Sequence, residues 1–263
     1  MVRAQWTPCG PATVLVDWTG AQLAVDAWGP GSAWAAARAV AMVGSDRPAP
    51  TLPDHHRIVT EASRRHAGLR TGASGDLYHQ LLPTVIAQRI TGGEAVRQWR
   101  RLCERLGEQA PGPHRDLRLP PAPADLATRP AWWFHPIGIE AKRANALREI
   151  ARVAHRLWTW ADLSPSDAAA KLTLVRGVGV WTIGSVLGPA LGDDDAVAVG
   201  DYHLPNIVAW TLAGEPRADD ARMLALLEPY RGVRGRVVRL LTMAGRRPPA
   251  FGPRRRILPM HRW

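Results

Sequence analysis

The stretch Leu174-Val175-Arg176-Gly177-Val178-Gly179-Val180-Trp181-Thr182 governs how the remainder of the chain reads. Apolar residues flank its Gly-Val-Gly turn: Leu172, Leu174 and Val175 before it, Ile183, Val186 and Leu187 after it. Glycine reaches positive φ and lets the backbone approach another surface closely. A helix that begins directly after such a turn points its first N–H groups outward, with the positive end of its dipole. Those donors suit a phosphate and carry no sequence preference. Upstream, Ser164-Pro165-Ser166-Asp167 places Ser at an N-cap, Pro at N1 and an acid at N3. The spacing predicts a first helix running to Arg176 and a second from Val180 to about Leu191, a hairpin over 166–191.

Farther out the chain is mostly helical. Leu77, Leu81, Leu82, Val85, Ile86 and Ile90 share one helical face; Pro83 implies a later start or a kink. Val96, Trp99, Cys103 and Leu106 mark the next helix, closed by Gly107. A Pro-rich connection over 111–123 precedes Pro130-Ala131-Trp132-Trp133-Phe134, and a helical pattern follows over 144–157. Downstream, Asp193-Asp194-Asp195 reads as a loop and 196–199 as extended. Asp201 opens a helix with Pro205 in its first turn, and two final helices fit 223–227 and 233–243. The first 70 residues differ. Thr13-Val14-Leu15-Val16 and Gln22-Leu23-Ala24-Val25 read as strands joined at Asp17-Trp18-Thr19-Gly20. Helices are expected over 32–43, capped by Ser32, and over 54–66. The expected class is mainly α, α+β overall: a β-plus-helix domain at 1–70, a helical core at 75–245 and a basic, disordered tail at 246–263.

Composition narrows the partners. The 263 residues carry a net charge of +11, a field that attracts polyanions, nucleic acid first among them. Arg246, Arg247, Arg254, Arg255, Arg256 and Arg262 crowd the tail between prolines, as a phosphate-contacting arm or a merely solvated end. Only Cys9 and Cys103 are present, too few for a disulfide framework or a metal cluster. No run of 18 apolar residues could span a bilayer, and Met1 to Pro8 contain no apolar signal core. A cytoplasmic monomer is expected, nucleoid-associated in a bacterium.

The hairpin sequence, followed about twenty residues later by Val199-Gly200-Asp201-Tyr202, resembles the helix-hairpin-helix (HhH-GPD) DNA glycosylase superfamily, above all its 3-methyladenine DNA glycosylase II branch. Ile86-Ala87-Gln88-Arg89-Ile90-Thr91 and Gly138-Ile139-Glu140-Ala141-Lys142-Arg143-Ala144 extend the likeness over 75–245; residues 1–70 resemble the branch's N-terminal domain only loosely. The resemblance implies a two-lobed helical fold acting on double-stranded DNA with damaged bases. Gly177, Val178, Gly179, Val180 and Thr182 would then grip DNA. No cofactor is implied, although hairpin carbonyls in the superfamily can hold a monovalent ion.

It also assigns roles. Cleaving an N-glycosidic bond builds positive charge on the sugar, and Asp201 is the carboxylate placed to stabilise it or to orient water. Asp201 also reads as a helix cap, and the two roles are compatible. Trp181 stands where lyase-competent relatives carry lysine, so hydrolysis without strand cleavage is expected. Trp181 and Tyr202 would wall the base pocket; each also reads as a packing residue. Gln88 and Arg89 would enter the gap left by the flipped base, although the branch often has an apolar wedge there, and a helix-surface arginine is the plain alternative. Ser185 replaces a pocket aromatic, which Trp132, Trp133 or an N-terminal Trp could supply. Alkylated purines such as 3-methyladenine are the first expectation; uracil, deaminated purines or non-catalytic damage binding are the alternatives.

Overall fold

The computed structural model describes residues 1–19, 22–245 and 247–249, so most of the expected tail lies outside the described residues. Three strands, β1 (Val2–Thr7), β2 (Gly10–Thr19) and β3 (Gln22–Trp28), form an antiparallel sheet in sequence order. β1 is an addition to the two strands expected. Arg3 and Gln5 interrupt its apolar alternation, yet Gln5 is fully buried, which only tertiary packing can impose. β2 also runs on to pair Thr19 with Gln22, so the chain reverses later than Asp17-Trp18-Thr19-Gly20. Ala12, Val14 and Val16 face α1 (Ser32–Ala37) and α2 (Ala39–Met42), burying Ala35, Ala39 and Met42. The helix expected over 32–43 thus breaks at Arg38, and Gly31, not Ser32, is its N-cap.

The first helical lobe holds the largest core. α4 (Leu77–Ile86) starts at Asp76, whose carboxylate accepts from the His79 N–H at 3.0 Å, and it keeps Pro83 inside. It stops four residues short of Ile90. α5 (Gly92–Leu106), α6 (Pro123–Thr128), a 3-10 helix (Ala131–Ile137), α7 (Ala141–Arg152), α8 (Ala154–Trp160), α9 (Pro165–Leu172) and α10 (Val180–Leu191) complete the lobe. α7 and α8 divide at Val153 what the pattern over 144–157 reads as one helix. Ser164 caps α9 as its sequence predicts, accepting from the Asp167 N–H at 3.1 Å. α9 ends at Leu172 rather than Arg176. Tight i,i+3 turns then bury Val175 and Val178 and leave Leu174 77% exposed.

The second lobe joins α11 (Leu204–Ala213), α12 (Asp220–Leu227) and α13 (Arg234–Met243) to α3 (Arg57–Arg65) from near the start of the chain. Val59 of α3 packs with Val208, Met223, Leu227, Tyr230 and Val237. Residues 192–203 connect the two helical lobes, directly after the hairpin. Among the described residues no helix is long and apolar enough to cross a membrane.

Candidate active site

The hairpin turn is built by two glycines with different jobs. Gly177 has φ 92°, and a Cβ there would lie 2.5 Å from the Ala146 Cβ. Gly179 is extended at φ −103°, with nothing within 4 Å of an added Cβ. The first therefore serves the fold. The second leaves a bare backbone facing outward. Val178 is buried, its N–H held by the Val175 carbonyl, and Thr182 is buried too, so neither offers its side chain to a partner. Among the described residues no carbonyl accepts from the N–H groups of Gly179, Val180, Trp181 or Thr182. This is the outward donor set of a helix N-terminus. The carbonyls of Arg176 and Val178 accept from no described N–H, which leaves oxygens at the turn for the monovalent ion the resemblance allows.

Twenty residues apart in sequence, Trp181 and Asp201 meet. The indole Nε1–H donates to Asp201 Oδ2 at 3.1 Å. Asp201 Oδ1 accepts from the N–H groups of His203 at 2.8 Å and Leu204 at 3.0 Å. Asp201 therefore holds the start of α11 while its carboxylate remains part-exposed beside a half-buried tryptophan. The turn before it is fixed as well: the Gly200 N–H donates to both carboxylate oxygens of Asp220, at 3.0 and 3.1 Å. Nothing in the local sequence marked Asp220 for this task.

Gln88 and Arg89 lie beyond the end of α4. Gln88 Nε2 donates to the Gly177 carbonyl and to Thr182 Oγ1, both at 3.0 Å, which ties this turn to the hairpin. Arg89 is exposed at φ 61°, the one non-glycine residue with positive φ among the described residues. Arg143, buried from solvent, donates from Nη1 to the Ile86 carbonyl at 2.6 Å and to Gln98 Oε1 at 2.9 Å. It thereby fixes the helix end that Arg89 follows.

Tyr202 is 85% exposed, its ring edge-on to that of His203 with centroids 4.9 Å apart, so the expected pocket wall faces solvent here. Ser185 donates to the Trp181 carbonyl at 2.7 Å. It lines a cavity of about 160 Å³ between α10 and the first turn of α13, bordered also by Thr71, Asp193 and Arg236. Neither Trp132, Trp133 nor any N-terminal Trp reaches this cavity. Trp132 is exposed, Trp133 packs edge-on against Phe134, and Trp6 donates to the Pro120 carbonyl. Burial pushes the Asp193 carboxyl above the usual carboxylate range, and the charges of Asp195 and Asp194 add to this. Asp193 and Arg236 were not singled out in the sequence, since they sit in a plain acidic loop and on a late helix. Among the described residues no three His, Cys, Asp or Glu side chains converge as metal ligands.

No protein-family model matches the chain, and no curated protein does. Solved structures do. The 3-methyladenine DNA glycosylase from Archaeoglobus fulgidus superposes with a TM-score of 0.72 at 18% identity, over 92% of this chain and 86% of that one. The Clostridium acetobutylicum 8-oxoguanine glycosylase/lyase, bound to double-stranded DNA with cytosine opposite 8-oxoguanine, gives 0.68 at 13% identity, over 92% and 87%. The Schizosaccharomyces pombe 3-methyladenine DNA glycosylase in complex with abasic DNA gives 0.53 at 18% identity, over 78% and 88%. The fold is thus that of the helix-hairpin-helix DNA glycosylases, mostly helical with an N-terminal sheet. It is the fold class that the hairpin's resemblance implies.

Proposed function

We propose that this chain is a monofunctional DNA glycosylase that flips a damaged base out of double-stranded DNA and hydrolyses its glycosidic bond. The observation that carries the reading is the Trp181–Asp201 pair beside an outward-facing helix N-terminus. The hairpin N–H groups hold a phosphate, which positions the duplex without reading its sequence. As the bond from C1′ to the base nitrogen breaks, its electron pair leaves with the base and positive charge grows on the sugar. The Asp201 carboxylate, locked in orientation by three donors, stabilises that charge. Water then adds to C1′ and loses a proton, leaving an abasic site. Trp181 has no amine to attack C1′, so no covalent intermediate forms and the strand stays intact.

The reaction chemistry alone puts alkylated purines such as 3-methyladenine first, because a cationic base leaves without a general acid. The cavity beside Ser185 has no aromatic face among its lining residues, which supports the second reading, a uracil or a deaminated purine. Release of abasic sites from lesion-bearing duplexes, compared between the wild type and Asp201→Asn, tests the enzyme reading. Binding by both proteins without release from any lesion would leave a non-catalytic damage-binding protein. Strand cleavage without alkali, or a borohydride-trapped adduct, would overturn the role given to Trp181.

A further inference from the structure

Asp219 and Asp220 stand side by side at the start of α12 and do different work. Asp219 caps the helix, its Oδ1 accepting from the Arg222 N–H at 2.8 Å. Asp220 serves another segment. Both of its oxygens accept from the Gly200 N–H, at 3.0 and 3.1 Å, across 20 residues of sequence. A backbone N–H shared between two carboxylate oxygens is a charge-assisted bond, stronger than a neutral one.

The bond falls where the connector between the helical lobes leaves its packed stretch. A Cβ on Gly184 of α10 would strike the Val197 carbonyl, and one on Gly235 of α13 the Ala196 carbonyl, so residues 196 and 197 are held by close backbone approach. The chain then turns tightly. The Val199 N–H donates to the Val197 carbonyl at 2.9 Å, and the Asp201 N–H to the Ala198 carbonyl at 3.2 Å. Gly200 lies inside this turn at φ 89°, directly before Asp201, with its N–H on Asp220. The segment that carries Asp220 is fastened in its turn. Asn206 Oδ1 of α11 accepts from the Ala218 N–H at 2.9 Å, and the Asp219 cap fixes the first turn of α12.

We infer that Asp220 is a positioning residue for base excision, setting the Gly200 peptide and with it the place of the Asp201 carboxylate against C1′. The inference rests on the base-excision reading, with Asp201 as its carboxylate. His203 and Leu204 orient that carboxylate from the same stretch of backbone, so their bonds travel with it. Asp220 ties the turn to a separate helix. A displacement of about 1 Å in a reacting group can cost about 100-fold in rate. Asp220 acts through Gly200 and not on the substrate, so its loss should slow bond cleavage and spare DNA affinity.

Single-turnover release from uracil, hypoxanthine and alkylated-purine duplexes tests this, alongside affinity for an abasic-analogue duplex and thermal melts. The full chain is compared with Asp220→Ala, Asp220→Asn and Val59→Ala. Asp220→Ala should release base at least about 10-fold more slowly, with affinity within about 2-fold of the wild type. Asp220→Asn keeps one acceptor for the Gly200 N–H and should recover to within about 3-fold of the wild-type rate. Val59→Ala opens a cavity in the core of the second lobe and should melt earlier at an unchanged rate. Should Asp220→Ala melt below the assay temperature, Asp220→Glu replaces it. Glutamate keeps the charge but moves both oxygens by one carbon, so it should be slower than Asp220→Asn. Wild-type release by Asp220→Ala, or by Asp220→Glu in its place, overturns the inference and leaves the glycosylase reading standing. So does an Asp220→Asn rate no better than that of Asp220→Ala, or an equal loss in Val59→Ala. No release by the wild type from any duplex overturns the glycosylase reading and this inference with it.

Discussion

Asp201 is fastened at three points, and that makes its two roles separable by measurement. Asp201→Asn keeps an oxygen for the His203 and Leu204 N–H groups but turns an amide NH2 toward the Trp181 indole N–H. Losing that one bond should lower stability by about 1 kcal/mol, whereas losing the charge should slow base release by at least about 100-fold. Release at the wild-type rate from a folded Asn variant would reduce Asp201 to a helix cap. Arg89 gives the opposite pairing of effects. A side chain in the left-handed region costs about 1–2 kcal/mol, so Arg89→Gly should raise the melting stability by roughly that amount while weakening affinity for an abasic-site duplex. Unchanged affinity would return Arg89 to the status of a surface charge. Asp201 drew attention in the sequence because the hairpin followed about twenty residues later by a carboxylate resembles a family motif; its local sequence alone reads as a helix cap. The conformation of Arg89 was not legible there. It depends on Arg143 holding the Ile86 carbonyl 57 residues away and on Gln88 holding Gly177 across 89, and no periodicity encodes such partners.

At the scale of the element, the hairpin glycines make a matched experiment. Gly177→Ala forces a Cβ into positive φ and against Ala146, so it should destabilise the fold by about 1–3 kcal/mol for the backbone alone. Gly179→Ala meets nothing within 4 Å at an ordinary φ and should melt like the wild type. Its effect should fall on DNA affinity, measured at fixed salt, because a methyl group then stands between the backbone donors and a phosphate. Equal DNA affinity for Gly179→Ala and the wild type would move the binding surface off this turn. The start of α9 was read well because the Ser164 side chain caps it, whereas α12, capped by Asp219, starts three residues before the expected Met223. Helix ends were read less well. α9 stops at Leu172 because Val175 and Val178 turn inward to the core of the first lobe, a choice made by packing rather than by propensity. The chain division between α7 and α8 was hidden for the same reason.

Across the whole molecule, the helical lobes and the sheet are joined by polar groups whose ionisation should register in stability. The second lobe draws α3 from the first quarter of the chain, and the sheet is pinned to α4 by Arg3, whose Nη2 lies 3.3 Å from Asp76 Oδ2. A linear reading grouped α3 with the strands, since contacts between distant segments leave no local pattern. His79 stands in the sheet–α4 junction, its Nδ1 buried without a hydrogen-bond partner and its ring tilted over Trp99. Burial, reinforced by the Arg3 charge, holds its imidazole well below the ordinary 6.5. The unfolded chain therefore takes up a proton at His79 before the folded one does. The contribution of His79 to stability is complete above pH 6.5 and is lost as pH falls from there through its folded value. Asp76 works in the reverse sense. Burial outweighs Arg3 and raises its carboxyl above 3.8, so ionised Asp76 weighs against the fold, and that penalty is relieved as pH falls toward 3.8. On acidification the two groups therefore act in opposite senses. Melting temperature should decline as pH is lowered from 7 toward 5, and His79→Gln, which cannot titrate, should flatten that decline. Asp76→Asn should not flatten it, because Asp76 acts in the opposite sense. A decline of the same slope in His79→Gln would place the acid sensitivity elsewhere than at the junction of sheet and helix.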